Sequence, residues 1–256
     1  MDHRNLRVRA RDAFVHVTLA RAERRNTLSL ETLAELDAAF AEIGAGKSRG
    51  VLLDAEGPVF SAGHDFGDMA GRDLAGMREL LVRCADVMRR VQRIPQPVLA
   101  SVAGLATAAG CQLVATCDLA VASSEARFAA PGGRGGLFCH TPMVAISRQV
   151  GRKRALELLL TGDPIDAETA ADWGLVNRVV APDALEAESW GLLERATRGS
   201  AFSKGLGKQA YYAQIDLDQP KAYEYATEVM ASASQHPDAQ EGMRAFLEKR
   251  RPVFEE

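Results

Sequence analysis

The sequence predicts an α/β protein: a body wound from similar units of strand, strand and helix, closed by a helical C-terminal region. Three observations carry this reading. The first half alternates short apolar or period-two runs with amphipathic stretches. From Thr141 onward the pattern is almost entirely helical. The 256 residues, 47% hydrophobic and 25% charged, suit a full buried core.

Leu6–Arg9 and Phe14–Ala20 alternate as half-buried strands do. Leu30 to Ile43 is a helix, with Leu33, Leu36, Phe40 and Ile43 on one face and Ser29 as N-cap. Val51–Asp54 is an apolar strand, and a second short strand follows Gly57-Pro58 into Phe60. Asp73 to Arg93 is a long amphipathic helix stopped by Pro95 and Pro97. Pro97–Val102 is a buried strand, Ala109–Cys117 a helix and Leu119–Ala122 another buried strand. Helices then fall near 142–150, 154–161, 166–173, 183–198, 203–213, 220–234 and 237–249. Only Asn177–Val180 interrupts them as a strand. The chain is read as a core, 1–199, and a helical region, 200–256; no low-complexity linker separates the halves, so the C-terminal helices are expected to pack on the core or a neighbouring subunit and not to form an independent domain.

A formal net charge of -3 and basic residues in short clusters exclude a general polyanion-binding field, and with it nucleic acid. Met1 to Ala10 lacks the apolar core of a signal peptide. Pro97 to Cys117 carries no charge but is too rich in Ala, Gly, Ser and Thr for a membrane span. Cys84, Cys111, Cys117 and Cys139 form no CxxC pair and have no histidine at metal-ligand spacing. Reduced thiols in a cytoplasmic protein are the expectation.

Two glycine motifs carry no chemistry. Gly46-Lys47-Ser48-Arg49-Gly50 matches GxSxG, but a nucleophile elbow needs a strand before it and a helix after, the reverse of the order here. Gly132-Gly133-Arg134-Gly135-Gly136 lacks the Lys-Ser/Thr of a phosphate loop. The signal lies in Phe60-Ser61-Ala62-Gly63-His64-Asp65, a small-residue turn after a strand, and in Gly104 to Gln112, a small-residue loop that opens a helix. Small residues admit a ligand to the main chain, and a helix N-terminus offers free N–H donors. Two such donors on one oxygen make an oxyanion hole.

With these motifs in place the chain resembles the crotonase superfamily, the enoyl-CoA hydratase/isomerase family, over nearly its whole length. Arg24-Arg25-Asn26-Thr27-Leu28, Ile94 to Val98, Cys117 to Ala122, Leu160-Thr161-Gly162 and Ala170 to Asn177 match further family segments. The resemblance implies a crotonase-like spiral, an acyl-CoA lyase or isomerase, and a homotrimer or a pair of trimers built through 200–256. It implies no separate cofactor, coenzyme A being part of the substrate. By motif, the oxyanion donors are the backbone N–H groups of His64 and Ala109, the His64 ring being secondary. Arg24, Arg25, Ala62, His64, Asp65 and Phe66 fall where the family contacts CoA, and Phe246 and Lys249 match C-terminal positions that reach the nucleotide. Trp190, Leu192, Leu193, Tyr211, Tyr212 and Tyr225 supply apolar surface for assembly.

The departures matter as much. The two positions where a typical hydratase has glutamates hold Gln112 and Gly132. Gln cannot exchange a proton near neutral pH, and glycine has no side chain. His140 lies where other members place a catalytic Asp and could move protons near pH 7; the plainer reading is a histidine bonded to a backbone carbonyl. Cys139 reads as packing, and Asp65 and Asp68 as loop or cap residues. A CoA-thioester binder without strong catalysis is the competing class.

Overall fold

The computed structural model describes residues 3–254; Met1 and Asp2, the start of the segment read against a signal peptide, lie outside that range. In chain order the strands are β1 (Leu6–Arg11), β2 (Phe14–Leu19), β3 (Gly50–Ala55), β4 (Val59–Ser61), β5 (Val98–Val102), β6 (Leu105–Thr107), β7 (Leu119–Ser123), β8 (Arg127–Ala129), β9 (Ile165–Asp166) and β10 (Arg178–Val180). The helices are α1 (Leu30–Ala45), α2 (Phe66–Met69), α3 (Leu74–Arg93), α4 (Ala109–Thr116), α5 (Pro142–Gln149), α6 (Arg152–Thr161), α7 (Ala167–Trp173), α8 (Leu185–Ala196), α9 (Ala201–Gln214), α10 (Gln219–Ala233) and α11 (Pro237–Leu247). Ser29 caps α1 by accepting from the Thr32 N–H, and Asp73 caps α3 in the same way through Gly76. Each is a side-chain oxygen satisfying an otherwise orphaned donor.

A six-stranded sheet runs β1-β2-β3-β5-β7-β10 and a four-stranded sheet β4-β6-β8-β9. Within both, all pairs are parallel except β1–β2 and β8–β9. The winding is now explicit. β3, β5 and β7 each place one strand in the large sheet, and β4, β6 and β8 follow immediately in the small one, before the chain returns through a helix. β6, β8 and β9 are absent from the sequence expectation: at two or three residues they are too short to display a period of two, and no Gly-Pro turn like the one before β4 marks them.

Parallel strands buried on both faces read as continuous apolar runs. Val51, Leu53, Val98 and Ala100 face the main core with Leu33, Leu36 and Phe40 of α1, while Leu52, Leu99 and Val121 meet Leu185, Trp190 and Leu193 of α8. This corrects the list of surface residues. Trp190 and Leu193 lie inside their own chain, Leu192 packs beside them, and the Tyr212 hydroxyl donates to Asp118 at 2.9 Å. Tyr211 and Tyr225 do remain exposed. Pro97 to Cys117, the uncharged stretch, is split into β5, β6 and α4, and among the described residues no helix is long and apolar enough to cross a membrane.

The C-terminal helices are held to the core by a buried charge. Lys208 on α9, 7% exposed, lies 2.7 Å from an Asp118 carboxylate oxygen and also donates to the Val91 and Gln96 carbonyls, both at 2.8 Å. Asp118 in turn accepts from the Val98 N–H at 2.7 Å. Removing one partner of such a pair strands the other charge. Lys208→Met is therefore expected to cost about 3–5 kcal/mol in denaturant unfolding. Breaking the exposed Arg148–Asp216 pair by Arg148→Ala should cost under about 1 kcal/mol.

Candidate active site

The small sheet aligns the site. Ser61 of β4 pairs with Ala106 of β6, Ala106 with Phe128 of β8, and Phe128 with Ile165 of β9, so one rung crosses all four strands. β4, β6 and β8 are parallel and end at the same edge. The segments that leave them, Ala62–Asp65, Ala108–Gly110 and Pro131–Gly132, must then emerge side by side. Clefts beyond the carboxyl ends of parallel strands are where α/β sheets bind ligands.

The first of these segments is stitched to the loop after β2. Asn26 is buried; its Oδ1 accepts from the Arg21 N–H at 2.8 Å and its Nδ2 donates to the Glu56 and Val59 carbonyls at 2.9 and 2.8 Å. The Ala62 N–H donates to the Arg25 carbonyl, the Leu28 N–H to that of Gly63, and the Ser61 hydroxyl to that of Asn26. Asp65 accepts from the Thr27 hydroxyl at 3.0 Å and from the Gly67 N–H at 2.9 Å, capping α2. The Gly67 N–H, then Thr27 and the nearby Arg24 and Arg21, hold its carboxyl below the usual aspartate range. Asp68 accepts from the Leu30 N–H. Both aspartates are bound into the frame.

The second segment abuts the first, main chain against main chain. A Cβ at Gly110 would lie 2.3 Å from the Ser61 carbonyl oxygen. Gly63 has φ +84°, and a Cβ there would lie 2.9 Å from the Ala108 Cβ and 3.0 Å from the Ala109 nitrogen. Ala108 itself sits at φ 51° and ψ −119°, a conformation that strains an L-residue by about 1–3 kcal/mol. Beyond it α4 begins. The backbone N–H groups of His64 and Ala109 have no acceptor among the described residues. Two such donors can bind an oxygen that gains negative charge.

Both residues line a cavity of about 530 Å³. Ala62 and Phe66 border it on one side with Met69 and Leu81, and the segment 131–142 closes the other with Leu137, Phe138, Cys139, His140 and Pro142. Among the described residues its lining contains Arg134 and two histidines but no carboxylate. Met69, Leu81, Leu137 and Phe138 were not singled out in the sequence, since an apolar residue facing a cavity has the same pattern as one facing the core.

Ala62, His64, Phe66, Ala109 and His140 are thus brought together. Arg24 and Arg25 are exposed on the stitched loop beside Asp65. Phe246 and Lys249 do not border this cavity: Phe246 is 82% exposed near the end of α11, and Lys249 follows it at φ 54°. A larger cavity, about 740 Å³ between α9, α10 and α11, contains none of the expected site residues. His140 is exposed at the rim, its ring edge-on to Phe138 with centroids 5.3 Å apart. Among the described residues its ring bonds to no carbonyl; its backbone N–H donates to the Phe138 carbonyl at 2.8 Å. Cys139 is buried, its thiol pushed up by that burial, and its Sγ accepts from the Gly132 N–H at 3.3 Å. Arg134 pairs with Asp163 at the surface.

Gln112 is 4% exposed and its Oε1 has no hydrogen-bond partner. Gly132 is a matter of space: a Cβ there would stand 2.3 Å from the Leu137 carbonyl oxygen and 2.8 Å from the Cys139 sulfur. No side chain fits without moving the wall.

The family described as enoyl-CoA hydratase/isomerase matches residues 9–256. The enoyl-CoA hydratase domain-containing protein 3, mitochondrial, of Mus musculus is 42% identical over 250 residues, covering 96% of this chain and 83% of the relative. A crystal structure of enoyl-CoA hydratase from Mycobacterium smegmatis superposes with a TM-score of 0.95 at 46% identity, covering 97% and 98% of the two chains. That of human enoyl coenzyme A hydratase domain-containing protein 3 gives 0.94 at 40% identity, covering 98% and 100%. The expectation of a cytoplasmic protein is overturned by the mouse and human relatives, both named mitochondrial. Four buried free cysteines speak of reduced thiols and do not choose between compartments.

If Gly132 is required for space, Gly132→Ala should lower stability by about 1–3 kcal/mol in denaturant unfolding. An unchanged unfolding midpoint would show that the Leu137–Cys139 wall yields to a methyl group.

Proposed function

The chain belongs to the enoyl-CoA hydratase/isomerase family, and on that footing we propose that it is an acyl-CoA lyase or isomerase whose His64 and Ala109 N–H groups hold the thioester oxygen. One observation supports the reading: among the described residues neither N–H group has an acceptor, and both residues line the same largely apolar cavity. When a proton leaves the α-carbon, or water adds across the double bond, charge moves onto the thioester oxygen. Each preorganised donor aimed at that oxygen is worth about 10²–10³ in rate. Phe66, Met69, Leu81 and Phe138 give the acyl chain an apolar wall. Arg24 and Arg25, exposed on the loop stitched to Ala62, offer the CoA phosphates their charge.

A second reading, a thioester binder without strong catalysis, is favoured by the carboxylate-free lining. Turnover separates the two. For assembly, we propose a homotrimer or a pair of trimers, with 200–256 as the trimerisation region. Exposed Tyr211, Tyr225, Met230, Phe246 and Leu247 are the surface that closed symmetry would cover. Phe246 and Lys249 would then serve the cavity of a neighbouring subunit.

Calorimetry with acetyl-CoA and longer acyl-CoAs should show binding, and no heat or thermal shift at high ligand would sink the reading. Crotonyl-CoA hydration should be weak, since each missing acid/base group removes about 10²–10⁴-fold. An activity near that of a hydratase bearing both glutamates would mean that proton transfer is carried elsewhere in the site. Light scattering should give a trimer or hexamer, and a monomer would refute the assembly.

A further inference from the structure

The lining of the cavity divides by exposure. Ala109, Met69 and Cys139 are shielded from solvent. Phe66 and Leu137 belong to the same lining, yet they are 77% and 54% exposed. A side chain that both lines a cavity and meets solvent stands at its mouth. The two come from opposite sides, Phe66 from α2 and Leu137 from the segment after β8, so the mouth is apolar on both lips. One exposed apolar side chain is ordinary; several around one opening mark a place where something apolar is covered. A third extends the strip. Leu81 of α3 lines the cavity, and Leu74, seven residues earlier, lies on the same helix face about 10 Å away and is 74% exposed. Half-buried Met77 falls between them on that face.

Resting on the thioester reading above, we propose that Phe66 and Leu137 set the chain-length preference of the site, gripping an acyl chain where it leaves the cavity. With the thioester oxygen on the His64 and Ala109 N–H groups, the first carbons of the chain lie among Met69, Leu81 and Phe138. A chain that ends there leaves both lips in water. A longer chain passes between the lips and continues along the α3 strip toward Leu74. Each added methylene then removes apolar surface from water on the chain and on the lips together, which is worth up to about fourfold in affinity. The site therefore favours acyl thioesters longer than its own cavity over short ones.

The Leu137 lip has room for such a chain. Gly135 and Gly136 precede Leu137, and no atom lies within 4 Å of where a Cβ would stand at either. A chain can lie against this lip without displacing packed neighbours, while the Leu137 N–H, bonded to the Gly132 carbonyl at 3.0 Å, keeps the lip in place. Arg134, the permanently charged residue of the described lining, is already paired with Asp163 at 2.9 Å. The mouth thus suits an apolar chain and offers little to one that ends in a carboxylate.

The test is displacement of butanoyl-CoA by the even-numbered acyl-CoAs from hexanoyl to dodecanoyl, followed by calorimetry on the full chain, so that every ligand is read at one site. Wild-type affinity should rise along the series, by up to about fourfold per methylene once the chain reaches the lips. Phe66→Ser and Leu137→Ser should each lower the ratio of dodecanoyl to butanoyl affinity by about tenfold, and Leu137→Met should keep it. Both side chains are exposed, so the variants should fold, and a ratio taken within each variant cancels any general loss of binding. A wild-type series that is flat or falls with chain length overturns the assignment, as does a ratio unchanged in both serine variants. Serine variants that lose their assembly in light scattering and keep the ratio would make the lips a contact between subunits, which also overturns it. A wild type that binds no acyl-CoA, butanoyl-CoA included, overturns the thioester reading itself.

Discussion

The close approach of two backbone turns governs this molecule. Gly110 packs onto the Ser61 carbonyl so tightly that a single methyl would overlap it, and Gly63 does the same against Ala108 and Ala109. Everything around this contact serves to hold it. The β4–β6 pairing sets the register of the two turns. Asn26, Ser61, Thr27 and Asp65 bind the preceding loop to the first turn through hydrogen bonds to main-chain and side-chain oxygens. Ala108 bears the strain of starting α4 at this point. Backbone donors fixed in this way need no reorganisation to meet an acceptor.

The same economy of space removes an acid from the opposite wall. The Leu137 carbonyl and the Cys139 sulfur occupy the volume into which a side chain at position 132 would grow. The wall segment folds back on itself, with the Gly132 N–H bonded to Cys139 and the Leu137 N–H bonded to the Gly132 carbonyl. A glutamate at this position is incompatible with that fold. Polarity in the cavity falls instead to histidine, threonine, cysteine and one paired arginine. The polar groups among its described lining are therefore neutral or cationic.

The helical C-terminal region is joined to the core at a charged point. Lys208 crosses to Asp118 just before β7, and Tyr212, one turn further along α9, donates to the same carboxylate. A buried pair of this kind fixes where α9 sits; its net contribution to stability is small against the desolvation of both charges. α10 and α11 carry most of their apolar residues, among them Tyr223, Met230 and Phe246, on exposed faces.

Period and capping chemistry made much of the fold readable. α1 begins at the cap read from Ser29, α3 begins one residue after the expected start at Asp73, which caps it, and the apolar runs of β3, β5 and β7 appear as buried strands. Local rules of this kind act over one turn or one pleat, so a linear sequence displays them. The two small-residue turns were also legible, because only glycine and alanine allow main chains to meet. Three things were not. The strands β6 and β8 are too short for periodicity, and the sheet that aligns the site is defined by pairing between distant residues. Trp190 and Leu193 read as surface because burial under α8 depends on which face of the sheet it covers. The missing side chain at Gly132 could be seen in the sequence, but its cause, a carbonyl five residues ahead folded back onto it, exists only in three dimensions. Spacing along the chain determined which residues could reach the site; exclusion of volume and the satisfaction of hydrogen bonds, which act between distant segments, decided what each of them can do there.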